Sequence, residues 1–199
     1  MSQPNISTHS LHIQCVEATF IGCLFTSGMQ GVDRIPLSFK SKCQGIVYRH
    51  IVLAIRYNSH WGCVGISRRN DLMYKKLKYT SLGELVFDFN LSYAKSFHTL
   101  VSCYVGLPFS HDKSVDAPVK WRVLKVHVQR STPDVINEKL SSFSENINTM
   151  YDLFRSNGTL DLPYVITSIC IQKKKSIHPL NLYLYSSFFI NICMAGCTS

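Results

Sequence analysis

Residues 46–67 read IVYRHIVLAIRYNSHWGCVGIS. Ile46 to Tyr57 is rich in Val, Ile and Tyr, Trp61 to Ser67 forms a second short run, and the polar break Asn58-Ser59 between them predicts a β-hairpin. If Tyr57 faces His60 across a two-residue loop, every cross-strand pair sums to the same index, and His50 falls opposite Ser67 on one face. A slip of one residue would part them, because side chains along a strand alternate faces.

Upstream of the hairpin, Cys15, Val16, Phe20, Cys23 and Leu24 recur at helical spacing, with Glu17 in the first turn and Gly28 as a stop. This predicts a helix near 13–27 whose N-cap is either Ser10 or Gln14. Downstream, Ser81-Leu82-Gly83-Glu84 has the form of a capping box, and Leu85, Val86, Phe89 and Tyr93 carry a helix on to about Phe97. Thr99 to Val105 and Trp121 to Val128 read as strands separated by turn-rich segments. Thr132-Pro133-Asp134 then supplies an N-cap, an N1 proline and an acidic first turn for a helix running toward Asn157-Gly158. Helix first, then antiparallel strands with intervening helices, predicts an α+β domain.

The 199 residues, 46% of them hydrophobic, suffice for one domain with a real core and are too few for two comfortable ones. Met1 to Gln14 has neither the basic region nor the apolar run of a secretory signal, so the expected compartment is the cytosol and the eight cysteines are expected as thiols. No C-x-x-C pair occurs, and Cys193 and Cys197 with His178 upstream make a poor ligand set, so no metal and no cofactor is expected. Sequon triplets begin at Asn5, Asn90 and Asn157 and carry no meaning in a cytosolic chain. The net charge of +9 favours a polyanionic partner, and it is unevenly placed: Lys40, Lys42, Arg49, Arg56, Arg68, Arg69, Lys75, Lys76 and Lys78 are opposed in that stretch only by Asp71. Nucleic acid fits the charge, but no DNA- or RNA-recognition motif accompanies it. After Lys173-Lys174-Lys175 the chain carries no Asp, Glu, Lys or Arg, and Leu180 to Ala195 is mostly apolar. A tail anchor would need about 20 apolar residues. Asn181, Ser186, Ser187 and Asn191 interrupt the run, so a C-terminal extension is expected rather than a span.

A thiol peptidase needs a thiolate, a base to activate it and later protonate the leaving amine, and a group that orients the base. Cys15 near the start of a helix, where the positive end of the dipole favours the thiolate, His50 in a strand, and Ser67 opposite it could supply these. The same residues also fit core packing, since a Cys on an amphipathic helix and a His in a strand are ordinarily structural.

The blocks Cys15-Val16-Glu17-Ala18, Pro36-Leu37-Ser38-Phe39-Lys40, Tyr48-Arg49-His50-Ile51-Val52-Leu53, Gly65-Ile66-Ser67-Arg68-Arg69-Asn70-Asp71-Leu72-Met73-Tyr74-Lys75, Leu85-Val86-Phe87-Asp88-Phe89 and Ser110-His111-Asp112 resemble the core of a vasohibin. The vasohibins are tubulin tyrosine carboxypeptidases related to the transglutaminase-like cysteine peptidases, and the resemblance is clearest over residues 13–128. It implies a transglutaminase-like core in which the helix carrying the nucleophile packs on an antiparallel sheet, with 1–12 as a short lead, 13–170 as the catalytic core and 171–199 as an apolar extension. It implies that Cys15 attacks the last peptide bond of α-tubulin, that His50 is its base, and that Ser67 and the backbone carbonyl of Leu72 orient the imidazole. Lys40, Arg68 and Arg69 would hold the substrate's terminal carboxylate and the glutamates before it. The expected setting is cytoplasmic and microtubule-associated. The chain departs from the family at Gln14, where a basic residue is usual, and in having fourteen residues ahead of Cys15 where the family carries a helical region that wraps a small helical partner. A catalytically weak or inactive form that still binds tubulin or a partner is the alternative implied by these departures.

Overall fold

The computed structural model describes residues 14–112 and 118–157. In chain order these form α1 (Cys15–Phe25), β1 (Asp33–Cys43), β2 (Ile46–Tyr57), β3 (His60–Val64), a 3-10 turn (Asn70–Leu72), β4 (Lys75–Tyr79), α2 (Leu82–Lys95), β5 (Thr99–Val105), β6 (Leu124–Val126), a second 3-10 turn (Val128–Arg130) and α3 (Pro133–Asn157). One six-stranded sheet holds them in the order β4-β3-β2-β1-β5-β6, with every neighbouring pair antiparallel. The architecture is the α+β arrangement expected.

The hairpin forms in the predicted register, from Tyr57↔His60 to Leu53↔Val64. Its turn residues Asn58 and Ser59 have φ of 46° and 61°, the left-handed pair that matches the twist of a two-residue loop. The ladder stops at Val64, three residues short of the expected His50–Ser67 pair. Gly65 marks the departure: a Cβ there would lie 2.8 Å from Val52 Cγ1, so the chain can pass over β2 at that point only because the residue is glycine. The segment beyond leaves the sheet, and among the described residues the edge of β2 beside His50 has no strand neighbour on that side.

The middle of the sheet is the long β1–β2 ladder, and β1 was not anticipated. Pro36 inside a central strand is unusual because it removes a ladder donor. Here its carbonyl accepts the Gly106 N–H at 3.0 Å, just past the last β1–β5 pair at Leu37↔Val105. The missing donor therefore falls where regular pairing has already ended. Pairing places Ile35, Leu37, Phe39 and Ser41 beside Ala54, Val52, His50 and Tyr48 on one face, and Arg34, Pro36, Ser38 and Lys40 beside Ile55, Leu53, Ile51 and Arg49 on the other.

α2 packs on the first face, where Phe89 meets Phe39 with ring centroids 4.5 Å apart. Its start follows the predicted cap: Ser81 Oγ accepts the Glu84 N–H at 3.1 Å. The Glu84 carboxylate reaches back to the Thr80 N–H, at 2.7 Å, one residue before the cap. Leu85, Val86, Phe89 and Tyr93 are buried, as the spacing predicted, and so is Leu82. α3 starts at Pro133, and Ile136, Leu140, Phe143 and Ile147 form its buried stripe. Contacts divide the chain between Ile147 and Asn148; of the second part the structure describes residues 148–157, the last turns of α3. The expected lead 1–12 and extension 171–199 lie outside the described residues. Among those described, no helix is long and apolar enough to cross a membrane.

Candidate active site

Cys15 is the first residue of α1, following Gln14 as the N-cap. Glu17 accepts the Gln14 backbone N–H at 2.6 Å, which fixes the chain's entry into the helix. Within the helix, Thr19 Oγ donates to the Cys15 carbonyl at 2.9 Å, and Thr19 is fully buried. α1 lies on the second face of the sheet. A Cβ at Gly22 would sit 3.1 Å from Leu53 Cδ2 and 3.2 Å from Val64 Cγ2, so the helix backbone rests directly on β2 and β3. Its far end is held by Arg34, which is 2% exposed and whose guanidinium donates to the carbonyls of Cys23 at 2.9 Å, Phe109 at 3.2 Å and Ser110 at 2.5 Å. Phe20 adds an edge-on contact with Trp121, with ring centroids 5.3 Å apart.

His50 sits on β2 opposite Phe39, half-buried. Its Nε2 lies 2.7 Å from the Leu72 carbonyl oxygen. A carbonyl can only accept, so Nε2 carries the hydrogen and the lone pair of the neutral ring is on Nδ1. Burial pulls the imidazole below its ordinary value of 6.5, and the bond to Leu72 opposes that pull without cancelling it. The neutral ring thus has one defined tautomer, with Nδ1 free to accept a proton. Leu72 delivers the carbonyl because the turn Asn70–Leu72 folds back where β3 has left the ladder, with the Leu72 N–H bonded to the Arg69 carbonyl at 3.0 Å.

Of the expected group, the structure joins His50 and Leu72 directly. Ser67 Oγ accepts the Arg69 backbone N–H at 3.2 Å, and among the described residues no hydrogen bond links it to His50 or links His50 to Cys15. Arg68 and Arg69 are exposed in the loop after β3. Lys40 is half-buried on the α1 face, directly opposite Arg49 across the β1–β2 ladder. Two like charges in that position disfavour the sheet, and the exposure of Arg49 lets solvent screen them. Among the described residues no ion pair engages Lys40, Arg68 or Arg69.

Two groups escaped the sequence reading. Tyr93 followed Phe89 at helical spacing and read as core, yet its hydroxyl is buried with no hydrogen-bond partner among the described residues, and its ring packs on Phe39 at 5.8 Å and on His98 at 6.1 Å. Burial, with the Cys15 side chain as the nearby charge, pushes this phenol well above the usual tyrosine range. Lys75 read as part of a solvated basic stretch, but its side chain is 10% exposed, paired with Asp88 and donating to Ser92 Oγ at 2.9 Å. Nothing in the sequence pattern marks either one. A groove of about 510 Å³ lined by Met29, Ile55, Tyr57, Val64 and Leu77 lies at the far end of α1 and includes none of the expected site residues. Among the described residues, no three His, Cys, Asp or Glu side chains converge as metal ligands would, and Cys15, Cys23, Cys43, Cys63 and Cys103 are free thiols.

Residues 2–148 match the family model described as Vasohibin. Tubulinyl-Tyr carboxypeptidase 1 of Mus musculus is 35% identical over 125 residues, which are 63% of this chain and 33% of that protein. The chain therefore spans about a third of the length of the curated relative it matches.

Proposed function

Because the chain belongs to the vasohibin family, we propose that it is a thiol-dependent carboxypeptidase with a transglutaminase-like core that removes the C-terminal tyrosine of α-tubulin. The observation that carries this reading is the His50–Leu72 bond: it leaves the Nδ1 lone pair as the basic atom of a half-buried, neutral imidazole. In the proposed reaction the Cys15 thiol gives its proton to His50 Nδ1 and the thiolate attacks the carbonyl carbon of the last peptide bond. The imidazolium then protonates the departing tyrosine amine as the C–N bond breaks, leaving an acyl thioester on Cys15. His50 next takes a proton from water, whose oxygen attacks the thioester, and Cys15 leaves as the thiolate and is reprotonated. Ser67 would steady the imidazolium from the loop beside it. Lys40, Arg68 and Arg69 would hold the terminal carboxylate and the glutamates preceding it, Arg by paired bonds to one carboxylate. This substrate would place the protein in the cytoplasm, on microtubules. The small helical partner expected of the family belongs to the same proposal.

A second reading, binding of the acidic tail without turnover, draws support from Gln14, which puts a neutral N-cap where the family carries a cation beside the nucleophile. Tyrosine release from an α-tubulin tail peptide, followed by mass with and without that helical partner, separates the two. The wild-type chain releases tyrosine and Cys15→Ser does not, because an alcohol beside an imidazole without a carboxylate partner is a much poorer nucleophile than a thiolate. Release that persists in Cys15→Ser moves the nucleophile elsewhere. Binding without release under both conditions selects the second reading.

A further inference from the structure

β4 is the edge strand next to the 3-10 turn that carries the Leu72 carbonyl, and its hold on the rest of the fold is thin. It is five residues long, among the described residues it pairs on one side only, and its register with β3 shifts between Trp61 and Cys63. Against that weakness stands Lys75, its first residue. The Lys75 ammonium meets the Asp88 carboxylate on α2, donates to Ser92 Oγ one turn further along at 2.9 Å, and lies over the Phe89 ring, 5.2 Å from its centroid. Asp88 also lies close to Tyr79, the last residue of β4, so one carboxylate is near both ends of the strand. Burial works to raise the Asp88 carboxyl, but the Lys75 ammonium and the Tyr79 hydroxyl outweigh it and hold the group below its ordinary value. Tyr79, buried and facing that carboxylate, is pushed up to about 12.

We propose that Lys75 is a positioning residue: clamped to Asp88 and Ser92, it holds the turn Asn70–Leu72 so that the Leu72 carbonyl meets His50 Nε2 and one imidazole tautomer is selected. The inference rests on the reading of His50 as the base. Lys75 touches neither His50 nor the nucleophile's helix in any described contact; it acts through three residues of backbone, from Leu72 to its own Cα. Leu72 is buried at one end of that stretch and Lys75 pairs with Cys63 at the other, which leaves Met73 and Tyr74 between them. Met73 contributes a long contact from Cys63 Sγ to its carbonyl, at 3.9 Å, and Tyr74 is exposed. Without the clamp the carbonyl can swing away, and a His50 ring that has lost its acceptor has no reason to keep its hydrogen on Nε2.

The test uses the full chain with Lys75→Met, which keeps the length and removes the charge, Lys75→Arg, which keeps the charge, and Asp88→Asn. Nitrogen spectra of 15N-histidine-labelled protein report which His50 nitrogen carries the hydrogen, independently of activity. Wild type and Lys75→Arg show the Nε2–H form alone; Lys75→Met loses that single signature and shows both tautomers. In peptide turnover Lys75→Met lowers kcat by roughly tenfold to a hundredfold, the effect of misplacing a reacting group by about an ångström, with KM little changed. A folded Lys75→Met protein that keeps the pure Nε2–H form overturns the proposal, and so does a tautomer mixture in the wild type. Should Lys75→Met fail to fold, Asp88→Asn, which leaves the Lys75–Ser92 bond in place, carries the same expectation and the same overturning result. A wild-type chain that releases no tyrosine defeats the functional reading, while the nitrogen spectra still decide the clamp.

Discussion

α1 and α2 cover opposite faces of one sheet and are held by different means. α2 is amphipathic, capped at Ser81, and sinks Leu82, Leu85, Val86 and Phe89 completely into the core. α1 carries the proposed nucleophile and is apolar on nearly every side, yet Thr19 is its one buried residue; Leu24 and Phe25 are 65% and 74% exposed. It is fixed at points instead, by the close approach at Gly22 and by Arg34 under its last turn. A helix held by packing tolerates the loss of a single polar contact, whereas a helix held by points depends on each one. The comparison teaches that burial and placement at the candidate site are separate properties: the better packed helix lies on the face of the proposed base, and the worse packed one carries the proposed nucleophile.

Removing packing from α2 should therefore have the largest effect. Phe89→Ala takes out a fully buried ring stacked on Phe39 and is expected to lower stability by about 4 kcal/mol in urea unfolding. Arg34→Met is next, at about 3 kcal/mol, since it strands the carbonyls of Cys23, Phe109 and Ser110 and frees the end of α1. Hydrogen exchange should distinguish the two variants: Arg34→Met exposes α1 amides selectively, and equal exposure of α2 would break the comparison. A smaller effect follows from His50. Its folded-state value lies below 6.5, so as the pH falls through 6.5 the unfolded chain takes up the proton first, and stability drops until the folded ring is protonated too. His50→Gln should flatten that part of the stability curve between about pH 7 and pH 5, a difference readable as urea midpoints. Leu24→Ala should be the mildest, within about 0.5 kcal/mol, because the side chain already faces solvent. A loss several times larger would show that α1 is packed after all.

The sequence made legible those elements whose signals are local. The β2–β3 register follows from two turn residues, the α2 start from Ser81 and Glu84, and the α3 start from Pro133, and all three are where the pattern put them. β1 was invisible because Pro36 and the polar run Ser38, Lys40, Ser41 and Lys42 argue against a central strand; what rescues it is the Gly106 bond to the Pro36 carbonyl, some seventy residues away in sequence. The end of the β3 ladder was equally hidden, since only the Gly65–Val52 approach reveals it, and extending the register past that point placed Ser67 beside His50 where no ladder exists. At the candidate site, the family blocks named Cys15, His50, Ser67 and Leu72 together, and of these the structure joins His50 and Leu72 by a hydrogen bond. Lys75 and Tyr93 were not legible, because in sequence a clamp looks like a surface charge and an orphaned hydroxyl looks like core.

Among the described residues the sheet does not close on itself, and its two open margins have a colloidal consequence. β4 at one margin exposes Lys76 and Lys78, and β6 at the other is only Leu124–Val126, with Lys125 exposed at its centre. A second copy laying its own β4 alongside would bring ammonium groups to within about 5 Å of one another across the new pair, and a three-residue margin offers too few backbone bonds to repay the meeting. Strand-by-strand growth into fibres is thereby discouraged at both ends, by repulsion at one and by brevity at the other. High salt, which weakens only the repulsion, should open the β4 margin to self-association before the β6 margin.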